Sequence, residues 1–148
     1  MALDVNKLLS EVKITHYDHD PNATAATDVG WVDMRDYGCF TASFFRTVGT
    51  SALTMTILAN TASDGSGDEA TIATKTFTAG QPNAVGDYVF LEALAQQIAQ
   101  KSAEDGKAYR YVSVNLTLAT GTDEGVVTYI QSKPRFAYDE MTADYIST

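Results

Sequence analysis

From Gly30 to Arg135 the chain alternates short apolar/polar segments with turns rich in Gly, Asp, Ser and Thr, and no set of side chains in it makes a catalytic constellation. A period of two buries one face of a strand and leaves the other to solvent, and closely spaced turn signals favour short antiparallel strands. This pattern limits the chain to a mainly β fold. Trp31 to Met34 leads through Tyr37 and Gly38 into Cys39 to Thr47, which is rich in β-branched and aromatic residues. Ala52 to Asn60 alternates most clearly, with Leu53, Met55 and Ile57 on one face and Thr54 and Thr56 on the other. Val48 to Ser51 predicts a hairpin turn between these two strands, and Thr61 to Glu69 predicts a flexible polar loop before a strand from Ala70 to Phe77.

A strand from Asp87 to Phe90 leads directly into the one predicted helix. There Leu91, Leu94, Ala95 and Ile98 recur at i, i+3, i+4 and i+7, and Asp105-Gly106 ends the pattern. Tyr109 to Ala119 reads as a central strand, with Val112, Val114, Leu116 and Leu118 toward the core and Tyr109, Tyr111, Ser113, Asn115 and Thr117 pointing away. Thr120 to Gly125 predicts a hairpin loop, after which Val126 to Ser132 returns antiparallel, and Pro134 suits an edge or the start of a strand from Arg135 to Tyr138. The fold class expected is an antiparallel β-sandwich, jelly-roll-like, with one short α-helix and an extended N-terminal arm. Strand count alone leaves the topology open.

Three regions follow. Residues 1–30 form an N-terminal arm with a first edge strand at Val12 to Tyr17, residues 31–138 the sandwich, and residues 139–148 an acidic tail. The arm carries Leu3, Val5, Leu8, Leu9 and Val12, and thirty extended residues reach on the order of 100 Å, far beyond a small domain. A chain of 148 residues suits one domain, burying roughly 68% of its unfolded surface. The single cysteine, Cys39, has no internal disulfide partner and reads as a small buried strand residue beside Phe40.

Charge excludes one large class of function. Ten Lys/Arg against nineteen Asp/Glu give a net charge of −9, which opposes binding through phosphate neutralisation, so no nucleic-acid partner is expected. No apolar run approaches the roughly 20 residues that cross a bilayer, and the opening Met-Ala-Leu-Asp-Val-Asn-Lys lacks the pattern of a signal peptide. The expectation is a protein made in the cytoplasm with no membrane partner. The two sequons, at Asn22 and Asn115, are then chance matches.

The chemistry that remains is sparse. His16-Tyr-Asp-His-Asp20 could ligate a divalent ion, but in a strand only His16, Asp18 and Asp20 share a face, and no third histidine exists to complete the set. The acidic run from Asp64 to Glu69 lacks the spacing of a calcium-binding loop. There is no Gly-x-Ser-x-Gly elbow, no phosphate-binding glycine loop, and both histidines lie in the arm, far from any candidate nucleophile. No enzymatic activity, metal or cofactor is expected. Exposed tyrosines suit contact with a partner instead, because they supply rigid area at low entropic cost.

The segment Gly30-Trp-Val-Asp-Met-Arg-Asp-Tyr-Gly-Cys-Phe40, the strand with Leu53, Met55 and Ile57, the loop Ala62-Ser-Asp-Gly-Ser-Gly67, and Tyr109 to Val114 follow one another in an order that resembles small virion structural proteins of tailed bacteriophages. The likeness covers Trp31 to Phe136 and is one of style and order. It implies a capsid decoration, or cement, protein: a homotrimer on the capsid surface of the virion that clamps adjacent subunits of the major capsid protein. Under that resemblance the partner contacts fall on Leu3, Val5, Leu8, Leu9, Val12, Tyr109, Tyr111, Tyr145 and Ile146. Two other readings stay open: a tail or head-to-tail joining protein, and a carbohydrate- or host-receptor-binding module using Trp31, Tyr37 or Tyr111 in a shallow groove.

Overall fold

The computed structural model describes residues 12–18, 27–28, 30–78 and 84–134. Nine strand segments and one helix follow in chain order: β1 (Val12–Asp18), β2 (Thr27–Asp28), β3 (Val32–Asp33), β4 (Tyr37–Val48), β5 (Leu53–Asn60), β6 (Glu69–Phe77), β7 (Tyr88–Leu94), α1 (Ala95–Asp105), β8 (Tyr111–Leu118) and β9 (Glu124–Pro134). Sheet A has the order β1-β9-β4-β7, and sheet B has β2-β8-β5-β6 with β3 also on β8. Every pairing is antiparallel.

β2 and β3 lie end to end along β8, opposite Asn115–Leu116 and Tyr111–Val112, and together act as one interrupted edge strand. Counted so, the described residues form eight strands in four nested pairs: β1 with β9, β2/β3 with β8, β4 with β7, and β5 with β6. A long antiparallel ribbon paired in this way and rolled onto itself is a double-sheet jelly roll. The expected antiparallel sandwich with one short helix is thereby met, and the topology that strand count left open is settled; the expected N-terminal arm lies largely outside the described residues.

The core lies between the sheets. Phe40, Ala42 and Phe44 of β4 and Val127 and Tyr129 of β9 face Leu53, Met55 and Ile57 of β5 and Val112, Val114 and Leu116 of β8, all buried. The Phe40 and Tyr129 rings meet edge to face at 4.9 Å, a geometry favoured by the ring quadrupoles. Tyr129 Oη also accepts the Val114 N–H at 2.8 Å and lies 3.3 Å from Ser113 Oγ. Ser113, expected to point to solvent, is therefore fully buried, because its hydroxyl is used to satisfy a phenol inside the core. Cys39 is buried, as expected.

The nested pairing corrects two expected hairpins. Residues 49–52 join β4 of sheet A to β5 of sheet B, and residues 119–123 carry the chain from β8 back to β9 in sheet A, so both are crossovers between sheets. A turn sequence reports only local backbone geometry, while sheet membership is decided by distant partners. The two crossovers are tied together by a buried ion pair. Arg46 Nη1 donates to Asp123 Oδ2 at 2.6 Å and Arg46 Nη2 to the Ser51 carbonyl at 2.9 Å, while Asp123 Oδ2 also accepts the Ser51 N–H at 2.9 Å and its hydroxyl. Gly49, at φ 82°, leaves room for the Asp123 carboxylate; any Cβ there would fall 1.8 Å from Oδ1.

The helix starts later than its apolar period suggests. Leu91 and Leu94 belong to β7, and only Ala95 and Ile98 of that quartet lie on α1, where both are buried. In the strand, the i, i+3 spacing puts Leu91 and Leu94 on opposite faces, Leu91 toward the core and Leu94 outward, where a helix would have put them on one. The Gln97 side chain accepts the Leu94 N–H at 2.8 Å, and Gly106, at φ 63°, ends α1 where expected.

The Ser/Asp/Gly loop of residues 61–68 is also firmly built, contrary to the flexible segment expected. The fully buried Asn60 donates through Nδ2 to the carbonyls of Gly65 (3.0 Å) and Gly67 (3.3 Å), and Oδ1 accepts from the N–H groups of Ala62 (2.8 Å) and Gly67 (3.1 Å). All four bonding positions of one amide are used. The Trp31 indole lies against Gly65, whose φ of 77° and contact with the ring leave no space for a side chain.

Substituting Asp123→Ala leaves the Arg46 guanidinium buried without its carboxylate, and unfolding by urea should show a loss of about 3–5 kcal/mol. Burial opposes ionisation of Asp123, but the bonds from Ser51 and the Arg46 charge outweigh it and hold its carboxyl below the usual aspartate range. A depressed carboxyl stabilises the fold fully above the unfolded value, about pH 4, and that contribution is lost as pH falls through the folded value. Asp123→Asn should therefore be less stable than the parent at neutral pH and lose less stability on acidification, checked by thermal melts across pH 2–7.

Candidate interaction surface

The two outer faces of the sandwich differ in kind. On sheet B, Thr54 of β5 stands between Thr76 of β6 and Thr117 of β8, and Thr56 between Thr74 and Asn115. Cross-strand hydroxyl pairs close at 2.9 Å between Thr54 and Thr76 and at 3.2 Å between Thr74 and Thr56. The middle of this face is polar and uncharged, and its threonines hydrogen-bond one another across the strands, as suits a face turned to water.

Sheet A presents the opposite. Because Phe40, Ala42 and Phe44 point inward, Cys39, Thr41, Ser43 and Phe45 of β4 point outward, beside Leu94, Glu92, Phe90 and Tyr88 of β7. On the other side of β4, Ile130 and Val126 of β9 share that face, and Ile14 of β1 lies directly opposite Ile130. Tyr88 is 56% exposed, Phe90 54%, Ile14 52% and Leu94 42%, values that leave most of each apolar side chain in solvent. The rings form a ladder: Phe45 and Tyr88 sit with centroids 4.6 Å apart, and Tyr88 and Phe90 stack at 6.1 Å with planes 15° apart. Val48 and Val85, both exposed, extend the patch at one end, where the Gly86 N–H bonds the Arg46 carbonyl.

Charge is scarce on the β4–β7 part of this face, while β1 carries His16 and Asp18 in alternation with Ile14. Glu92 is the one carboxylate of β7, and it accepts the Thr41 hydroxyl at 3.2 Å. Among the described residues β7 is also an edge strand, paired only with β4. Edge strands in isolated domains are commonly guarded by charge, proline or a bulge. Here the edge carries Tyr88, Phe90 and Leu94 instead. An apolar, charge-poor face with an open edge, on a chain of net charge −9, has the character of an interface core.

The sequence-expected contact residues fall elsewhere. Val12 is half-buried at the start of β1, opposite Ser132, on the rim of the apolar face. Tyr109 precedes β8 instead of standing on its outer side. It is half-buried after α1, its hydroxyl donating to Asp105 at 3.0 Å and its N–H to Ser102 Oγ at 3.1 Å. Burial and the neighbouring Asp105 raise the Tyr109 phenol above its ordinary value. Tyr111, half-buried, lies under the Arg110 guanidinium at 5.2 Å, and Arg110 is in turn held by a bidentate pair with Asp33. Leu3, Val5, Leu8, Leu9, Tyr145 and Ile146 lie outside the described residues. The groove expected for a glycan is not formed by Trp31 and Tyr37, since Trp31 packs on Gly65 and Tyr37 is buried.

Tyr88, Phe90 and Leu94 were missed because Leu91 and Leu94 were assigned to a helix, which hid the alternation of exposed residues along β7. Among the described residues, no group of three His, Cys, Asp or Glu side chains is arranged to hold a metal ion, and no helix is long and apolar enough to cross a membrane.

No protein-family model and no curated protein sequence matches the chain. Among solved structures, it is similar to chains in the infectious bursal disease virus Gt strain structure, at 11% identity and TM-score 0.37 over 87% of this chain and 33% of that one. The VP2 subviral particle of the same virus gives 6% identity and TM-score 0.37 over 84% of this chain and 31% of that one. The chain spans about a third of these solved chains. Scores this low carry no argument, and the jelly-roll assignment rests on the strand order itself.

Replacing Tyr88 and Phe90 together with serine removes both rings without opening the core. Stability should change by about 1 kcal/mol or less, while binding of a hydrophobic fluorescent dye should fall sharply. Unchanged dye binding would place the sticky surface elsewhere.

Proposed function

We propose that the protein is a structural component of a virion that decorates the outside of an icosahedral phage capsid and, as a homotrimer, clamps adjacent major capsid subunits without catalysing a reaction. The observation that carries this reading is the contrast between the two outer faces: apolar and aromatic on sheet A, hydroxyl-lined on sheet B. A free monomer has no use for the first, whereas a part fixed between neighbours and water needs both. The order of segments from Trp31 to Phe136, which resembles small phage virion proteins, supports the same reading. The jelly roll is compatible with it but does not select it, because the same roll serves lectins and cupins.

In this reading the N-terminal arm, with Leu3, Val5, Leu8 and Leu9, reaches a capsid subunit or a sister copy. Sheet A supplies the flat contact and sheet B faces outward. The net charge of −9 suits a part on the solvent side of the shell, away from packaged nucleic acid.

Light scattering on the purified chain should give a trimer, and mixing with empty shells of its virus should raise their melting temperature. The Tyr88→Ser, Phe90→Ser variant should lose both effects while remaining folded. A strict monomer that never binds shells would sink the proposal, and stacked rings in electron micrographs would move the protein to the tail or the head-to-tail junction.

A further inference from the structure

Among the described residues the two sheets have four edges, and three of them are guarded. β1 carries Lys13, His16 and Asp18, and β6 carries Glu69 and Lys75. The edge made by β2 and β3 is interrupted and carries Asp28 and Asp33. Charges and breaks of this kind keep an edge from pairing with another chain. β7 has no such protection: from Tyr88 to Leu94 it holds no lysine, arginine or proline, its register on β4 runs without a bulge, and its carboxylate, Glu92, is engaged by the Thr41 hydroxyl.

The register also fixes where the main-chain groups of β7 point, because hydrogen-bonded pairs alternate along an antiparallel ladder. At one end of the strand the Arg46 N–H donates to the Asp87 carbonyl at 3.2 Å. Continued along the register, this turns the N–H and C=O groups of Val89, Leu91 and Ala93 toward β4, and those of Tyr88, Phe90 and Glu92 toward the open edge. The other end agrees with that phase: the Leu94 N–H, next in the outward series, is taken by the Gln97 side chain at 2.8 Å. The edge therefore offers the main chain of Tyr88, Phe90 and Glu92, centred on Phe90. Side chains of the same three residues stand on the outer face of sheet A.

We propose that β7 pairs antiparallel with β7 of a second copy of this chain, about a two-fold axis at Phe90, joining two sheets A into one. With Phe90 opposite Phe90 and Tyr88 opposite Glu92, every outward N–H and C=O from Tyr88 to Glu92 finds a main-chain partner. Each Tyr88 phenol then stands beside a carboxylate of the other copy to which it can donate. An axis at Glu92 is the poorer register, because it sets two carboxylates opposite each other and needs the Leu94 N–H that Gln97 holds. An axis at Leu91 sets each carboxylate against a Phe90 ring. Tyr88 and Phe90 are 56% and 54% exposed, which leaves about 100 Å² of each in solvent. Even with Val85 and Leu94 added, this is well short of the roughly 800 Å² per partner of a standard stable interface. The pairing is therefore reversible and set by protein concentration. Being two-fold, it does not build the trimer proposed above, and it rests on the strand edge independently of any virion role.

The test is amide hydrogen exchange of the full chain, read residue by residue by NMR at low and high protein concentration. Val89, Leu91 and Ala93 should be protected at both, whereas Tyr88, Phe90 and Glu92 should exchange about tenfold or more slowly only at the higher one. Phe90→Pro removes an N–H that only the second copy uses, at a place where edge strands admit proline, and Phe90→Lys opposes two ammonium groups across the axis. Each should abolish the gain at Tyr88 and Glu92 while Val89 and Leu91 stay protected; the lysine variant decides should the proline variant not fold. In a mixture of labelled and unlabelled copies, contacts between chains should join Tyr88 to Glu92. No gain at high concentration, a gain at the edges of β1 or β6 in its place, or a gain that survives Phe90→Lys would overturn the proposal. So would contacts between chains that join Phe90 to Ile14 or Ile130, which mean stacking of faces.

Discussion

β9 is the strand on which the rest of the fold depends. It stands inside sheet A, with β1 on one side and β4 on the other, and it comes last among the described strands. Among the described residues β1 has no sheet partner apart from it, and β4 pairs with it from Tyr37 to Val48. Until β9 is in place, sheet A is two separate pieces, and Val127 and Tyr129 are missing from the core. Pairing of this range brings together residues more than a hundred positions apart, so loop closure must be met before the apolar contacts can offset it.

The ion pair between Arg46 and Asp123 follows from that arrangement. Two crossovers must pass from one sheet to the other at the same end, and they do so next to each other: the Ala119 N–H bonds the Ala52 carbonyl at 3.0 Å. Bringing backbone turns together out of water leaves donors and acceptors that need partners. One aspartate and one arginine meet several of them at once, using the Ser51 amide, hydroxyl and carbonyl. A buried pair is not by itself a source of net stability; its specific use here is to fix the register of the two crossovers.

Much of the body was legible in the residues. β4, β5, β6 and β8 were each recognisable from period-two alternation, and Gly106 marked the end of α1, because these signals are local. What was hidden is non-local. The sequences at residues 49–52 and 119–123 are good turns whether or not the strands beside them pair, so hairpin and crossover look alike. The order of the loop at residues 61–68 depends on Asn60, which in sequence is one more polar residue at a strand end. The candidate surface was hidden for a different reason: β7 passes into α1 without a break, and the apolar spacing of Leu91, Leu94, Ala95 and Ile98 fits a helix although the first two stand on opposite faces of the strand. Tyr109 and Tyr111 looked exposed because tyrosines flanking a strand often are, but Asp105 and Arg110 engage them.

The register that pairs Val12 with Ser132 gives the molecule two unlike poles. One holds the crossovers and their sealed ion pair; the other is where the backbone enters and leaves, beside the loop clamped by Asn60. The β framework therefore begins, at Val12, and ends, at Pro134, at the same pole, opposite the crossovers. The sandwich is in this sense directional, with a closed base and a pole that carries both ends of its strands.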